Sequence, residues 1–197
     1  MKNKNVSAAR RRVFRLTDRI DLPLDLLGHM PFRIATVSNL LALTRDMHIR
    51  EISDLEAREM RVLINIGSYM PINGADIAYQ SRMDSYTVSR ASKVLRSRGL
   101  IDVEPDATNK RTKNFVLTEK GIEVYKAIAN AIDMRARAID AAISTSEKEA
   151  LFDMLARIEN QTEQLLAAQA IKQLEAGNDL PADQRELIRW YKKGRED

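Results

Sequence analysis

The sequence predicts a mainly α-helical protein interrupted once by a short β-hairpin, and three observations predict it. The 197 residues include only 7 Gly, 5 Pro and 5% aromatic residues, and they are rich in Ala, Leu, Arg, Glu and Ile, a mixture that favours helices. Apolar residues recur at helical spacing along most of the chain. The period changes only near residues 100–118, where two short strand-like runs flank a polar, turn-rich stretch.

The elements follow in order. Residues 1–19 form a basic arm, helical from Ala8 or else a plain solvated tail. Gly28–Ile49 reads as one helix with Pro31 in its first turn, where a missing N–H costs nothing. It carries two apolar rows, Ile34, Val37 and Leu41, then Leu40, Leu43 and Met47, so it needs cover on two sides. Asp54 is the expected cap of a helix from Leu55 to Ser68. Gly67, Pro71 and Gly74 mark a break, followed by a short helix over Gly74–Tyr79 and a turn at Gln80–Met83. Asp84 caps a longer helix, Ser85–Arg98, with Val88, Ala91 and Leu95 inward, and Gly99 ends it.

Leu100–Glu104 and Lys113–Thr118 are strand candidates joined by a polar loop. Thr118 caps a helix to Ala142. Ser146 and Glu149 have capping-box spacing at the start of another, which runs to about Leu174 with Leu151, Met154, Leu155, Ile158, Thr162 and Leu165 on one face. Gly177 to Pro181 ends it. Ala182–Lys193 reads as a terminal helix with Leu187, Ile188, Trp190 and Tyr191 to bury.

Composition excludes several functions. With no Cys there is no disulfide framework, Cys-bound zinc, iron–sulfur cluster or thiol sensor. Two His leave little for His-based catalysis or metal binding. His48 and Glu51 have i,i+3 spacing, which alone is weak evidence for a metal site. No apolar run reaches the ~18 residues of a membrane span, and no apolar segment follows basic residues 1–12 as in a secretory signal. A cytoplasmic protein without membrane partner or cofactor is expected. There is no Gly-rich phosphate loop or nucleophile elbow, so an enzyme is not expected.

The net charge is +4. Residues 1–19 carry a net +6 and residues 81–113 a net +4, which leaves −6 on the rest. Two concentrated basic stretches on an acidic body suit a polyanionic partner. A short helix, a tight turn, a longer helix and a basic hairpin describe a winged helix-turn-helix. The longer helix must present short polar and cationic groups to a DNA major groove; Ser85, Tyr86, Thr87, Ser89, Arg90 and Lys93 meet that need. The wing needs cations for phosphates or the minor groove; Lys110, Arg111 and Lys113 meet it.

Three stretches carry a family resemblance: LEAREMRVL from Leu55, INGADIAYQSRMDSYTVSRASKVLRSRGLID from Ile72, and DATNKRTKNFVLTEKG from Asp106. They are similar to the multiple antibiotic resistance regulator (MarR) family, whose pattern joins an R-V-L helix, an E-L-A helix, a D-x-S-T-V-T-R recognition segment, a D-R-R wing and L-T-x-K-G. The resemblance implies a homodimer built on the first and last long helices, a pseudo-palindromic double-stranded DNA operator, and Arg111 in a flanking minor groove. It also implies an aromatic-acid or phenolic effector between the dimer region and the DNA-binding lobe, for which His29, Arg33 and His48 are candidate ligand residues. Three positions depart from the pattern: Asn109 and Lys110 replace the wing's Asp and first Arg, and Arg82 stands where a helix-turn-helix often has Gly.

The expected organisation is a basic arm (1–27), a dimerisation helix (28–54), a winged helix-turn-helix lobe (55–118), long helices of the dimerisation region (119–177) and a C-terminal extension (178–197). The expected function is a repressor released by a small ligand. A ligand-independent architectural DNA-binding protein is the alternative, and a protein–protein adaptor fits the concentrated charge poorly.

Overall fold

A computed structural model describes residues 6–106 and 112–195. The chain divides into two compact units, residues 1–47 and 48–197.

In the first unit, α1 (Val6–Val13) is followed by α2 (Met30–Leu41) and a single 3-10 turn, Leu43–Arg45. Arg11 reaches Asp25 at 3.4 Å. Pro31 lies in the first turn of α2 as expected, and no residue of α2 is buried. The helix expected over Gly28–Ile49 is broken. Ala42 takes an extended conformation (φ −56°, ψ 126°), as does Asp46 (φ −84°, ψ 117°). Thr and Asp are weak helix-interior residues, and Asp46 instead precedes the next helix, a position Asp favours.

The second unit holds α3 (Met47–Ile52, starting at the boundary), α4 (Ala57–Tyr69), β1 (Ile72–Asn73), α5 (Gly74–Ser81), α6 (Ser85–Ser97), β2 (Ile101–Pro105), β3 (Lys113–Leu117), α7 (Glu119–Asp140), α8 (Thr145–Glu175) and α9 (Ala182–Lys193). The mainly α winged helix-turn-helix read from the sequence is therefore present. Two caps differ from expectation. Glu56 and Glu59 form a capping box on α4, while Asp54 pairs with Arg98 instead. On α8 the box is Ser144 and Glu147, two residues before the expected pair. Ser144 and Ser146 are each followed by a Glu three residues on, so spacing alone could not choose between them.

The core lies where α4, α5 and α6 meet the sheet. Met60, Val62, Leu63 and Ile66 of α4, Ile77 and Ala78 of α5, and Val88, Ala91 and Leu95 of α6 are all buried. Truncating one of the larger of these to Ala costs about 2–5 kcal/mol. The strands are ordered β1-β3-β2 and are antiparallel. Ile72 and Val103 both register with Phe115, and Ile101 with Leu117. Strand β1, only two residues long, was not foreseen.

Candidate nucleic-acid interface

Helix α5 starts at Asn73, whose side chain accepts the Asp76 N–H at 3.0 Å. It ends at Arg82, which adopts the left-handed conformation (φ 49°, ψ 38°). The turn therefore does what a glycine turn does, with an arginine. Side-chain contacts compensate the unfavourable backbone. The Arg82 guanidinium donates to Tyr79 O at 2.7 Å and to Glu163 at 2.8 Å. It also sits 3.1 Å from Glu159 and over the Tyr79 ring at 4.4 Å.

Asp84 then caps α6. Its carboxylate accepts the Thr87 N–H at 2.8 Å and the Thr87 hydroxyl at 2.6 Å. These hydrogen bonds, the hydroxyl first, hold the Asp84 carboxyl below the usual carboxylate range. A carboxylate at this position also favours the positive end of the helix dipole.

The predicted reading residues divide into two groups. Tyr86, Ser89, Arg90 and Lys93 are exposed along α6, with the Arg90 guanidinium 5.6 Å from the centre of the Tyr86 ring. Ser85 and Thr87 already hold partners inside the protein. The Thr87 hydroxyl proton goes to Asp84, and Ser85 donates both its N–H and its hydroxyl to Glu186 of α9. Lys93 and Lys113 line one open cleft with Ser85, Ser89, Arg96 and Phe115, so the structure brings recognition helix and wing strand to one face. Lys110 and Arg111, with Asn109, lie outside the described residues.

The wing is held at its base. Asp106 N–H donates to Thr112 O at 3.1 Å, and the buried Asn114 donates to Asp106 Oδ2 at 2.9 Å. At the other end, Thr118 donates its hydroxyl to Gly99 O at 2.7 Å and its N–H to Leu100 O at 3.1 Å. Gly99 has φ +67°, the conformation that makes Gly the preferred helix terminator there.

The candidate ligand residues are placed separately. His29 and Arg33 are half-buried in the first unit, at and after the start of α2. His48 is exposed on the second unit, with Nδ1 3.6 Å from Glu51. Among the described residues no three His, Asp or Glu side chains gather as a metal site, and no helix is long and apolar enough to cross a membrane.

Sequence reasoning missed Glu186, Glu159 and Glu163, which reach the helix-turn-helix from α9 and α8. Each is separated from its partner by more than 75 residues, and no local pattern announces such a pair.

Residues 55–113 match the model of the MarR family. A curated relative, the uncharacterized HTH-type transcriptional regulator YybA of Bacillus subtilis, is 28% identical over 110 residues, covering 56% of this chain and 73% of its own. A MarR/EmrR family transcriptional regulator from Acinetobacter sp. ADP1 shares the fold with a TM-score of 0.65 at 24% identity, over 72% of this chain and 99% of its own. The MepR–DNA complex of S. aureus does so with a TM-score of 0.61 at 20% identity, over 68% and 98%. On a winged helix-turn-helix, residues 55–113 are therefore a MarR-type lobe, and the chain is similar to MarR-family DNA-binding transcriptional regulators.

Proposed function

We propose that the chain is a homodimeric cytoplasmic repressor that occupies a pseudo-palindromic DNA site. One α6 enters each of two major grooves about 34 Å apart. The observation that carries this reading is the shared face of α6 and the wing, where Tyr86, Ser89, Arg90, Lys93 and Lys113 are exposed together. In this reading Arg90 and Ser89 meet base edges, and Lys93, Lys110 and Lys113 meet phosphates. Arg111 takes the flanking minor groove. The MepR structure, a DNA complex on the same fold, supports the same mode of docking.

The dimer is supported by apolar surface that each unit leaves uncovered. Val37 and Leu40 are exposed on α2, as are Leu151, Phe152, Met154, Leu155 and Leu165 on α8. Stripes of this size mark an interface. A small aromatic acid or phenol, held by His29, Arg33 or His48, would release DNA by favouring one spacing of the two recognition helices.

Fluorescence polarisation tests the reading. The full chain is titrated onto duplex DNA from upstream of its own gene and onto a scrambled duplex, at two salt concentrations, with and without a panel of aromatic acids. Sequence-preferring, salt-sensitive binding that one acid abolishes is expected. Equal binding to both duplexes, unaffected by any acid, would identify an architectural DNA-binding protein instead.

A further inference from the structure

Helix α9 lies beyond residues 55–113, the part that matches the family, yet it is seated on the DNA-reading element. Glu186 is buried, with 5% of its surface exposed, and its two carboxylate oxygens accept the Ser85 N–H at 3.0 and 3.1 Å. The Ser85 hydroxyl donates to it as well. One turn on, the Trp190 ring lies 5.7 Å from the Arg82 guanidinium. Another turn on, Lys193 pairs with Asp76 and sits over the Tyr79 ring at 5.2 Å. The spacing of 186, 190 and 193 is one helical stripe, and that stripe is bound to α5, to the turn and to the start of α6. A second flank, Gln184 and Leu187, lines a cleft with Leu166 and Ala170 of α8.

Three basic residues remain, of which Arg195 sits over the Tyr191 ring at 3.6 Å. Arg189 and Lys192, three residues apart, are exposed. The Arg189 guanidinium is 3.8 Å from the same Glu186 carboxylate that caps Ser85, so it stands beside the N-terminus of the reading helix. Their neighbour Arg185 is tied to Asp179 and to Leu180 O.

The first turn of a recognition helix ordinarily offers its N–H groups to a DNA phosphate. Here Glu186 has taken that donor. A strap that merely blocked DNA would be expected to carry negative charge. Residues 182–195 instead hold five basic and two acidic side chains, a net of +3. We propose that α9 is a second DNA-backbone contact: Glu186 anchors it to the recognition helix, and Arg189 and Lys192 bind the phosphates that flank the bases read by α6. The inference rests on the DNA-binding reading above.

The test compares the wild-type chain with Arg189→Gln/Lys192→Gln, using the upstream duplex and a mixed-sequence duplex. Arg157→Gln, an exposed change elsewhere on α8, is the control. Both test side chains are exposed and Arg189 gives up only a long 3.8 Å pair with Glu186, so thermal unfolding should shift little. The double variant should bind both duplexes more weakly by the same factor. Its salt slope should be smaller by about 2, so that the wild-type advantage shrinks about tenfold between 50 and 200 mM salt. Arg189→Lys/Lys192→Arg should restore the slope, because a phosphate accepts either cation. Unchanged affinity and slope would overturn the inference. So would tighter binding, which would make α9 a brake, and so would a loss confined to the upstream duplex, since phosphates carry no sequence. A wild-type chain that binds neither duplex would overturn the DNA-binding reading together with it.

Discussion

Arg82 donates to Glu163 across 81 residues of sequence, at 2.8 Å, from a backbone in the left-handed region. The side chain therefore works for the fold while its backbone works against it. The two effects separate in a pair of substitutions. Arg82→Ala removes a half-exposed ion pair and a cation–π contact, and should destabilise the chain by about 1–3 kcal/mol. Arg82→Gly removes the same contacts but relaxes the backbone, and should recover about 1 kcal/mol of that loss. Urea unfolding of both variants checks it. A Gly variant no more stable than the Ala variant would mean that the turn carries no backbone strain.

Gly121 occupies the first turn of α7 against the Leu100 backbone. A Cβ built there would lie 1.8 Å from Leu100 O, and that same carbonyl accepts the Thr118 N–H at 3.1 Å. Neither group can yield without opening the junction of wing and helix. Gly121→Ala should cost about 3 kcal/mol or more, at the upper end for overpacking. Chemical denaturation of the variant measures this, and a loss under about 1 kcal/mol would contradict the close approach. The glycine of the L-T-x-K-G motif is thereby explained by contact.

Asp84 gives the protein a pH dependence. Its carboxyl is held below its ordinary value by the hydroxyl and N–H of Thr87. Its cap therefore stabilises fully above the unfolded value of about 3.9 and is lost as pH falls through the lower folded value. Asp84→Ala should cost about 1 kcal/mol at pH 7, as loss of an N-cap does. The gap between wild type and variant should close as pH drops below about 4. Thermal melts from pH 7 down to 3 follow the gap, and a constant difference would rule out the ionised cap.

The parts of the fold legible in the sequence share one property, that their signals are local. Asp84 and Thr118 cap the helices they were expected to cap, the hairpin strands fall at Ile101–Pro105 and Lys113–Leu117, and α9 spans the expected Ala182–Lys193. Each follows from a cap, an alternation or an apolar period within a dozen residues. The break at Ala42 was hidden because the apolar rows of Gly28–Ile49 continue through it, and periodicity cannot register a backbone that turns between two helices. At the candidate interface, the residue types expected to read DNA are local to α6 and the wing, but which of them the fold already engages is not a local property. Ser85 and Thr87 look alike in sequence to Ser89, and only the folded chain shows Glu186 and Asp84 holding their donors.

That distinction bears on DNA reading. Arg90 is exposed beside the Tyr86 ring, so if it reads a base edge, Arg90→Ala should cost roughly 1–3 kcal/mol on the specific duplex and less on random DNA. Thr87→Ala should act differently. It removes one of the two hydrogen bonds the residue makes to Asp84, so part of its effect should appear in the melting temperature without DNA. Arg111→Ala should weaken all duplexes alike and lower the salt slope by about 1. Polarisation titrations at several salt concentrations distinguish the three. An equal loss on specific and random DNA would reassign Arg90 to phosphates, and an unchanged slope would remove Arg111 from the interface.

The apolar stripe of α8 lies open in the single chain. Leu155 and Leu165 are 40% and 54% exposed, yet the sequence spaces them with Leu151 and Ile158 as an inward face. A helix of 31 residues, about 46 Å long, exposes such a face stably only if a second surface covers it. In a two-fold dimer each residue is used twice, so one Leu155→Glu substitution buries or exposes two charges. That is enough to dissociate a marginal interface. Light scattering should therefore give a dimer for the wild type and the 22.4 kDa monomer mass for the variant. Because each monomer keeps its own α6 and wing, the variant should retain weak binding to random DNA and lose the preference for a two-half-site duplex. A wild-type chain that is monomeric at micromolar concentration, or a variant that stays dimeric, would refute this use of α8.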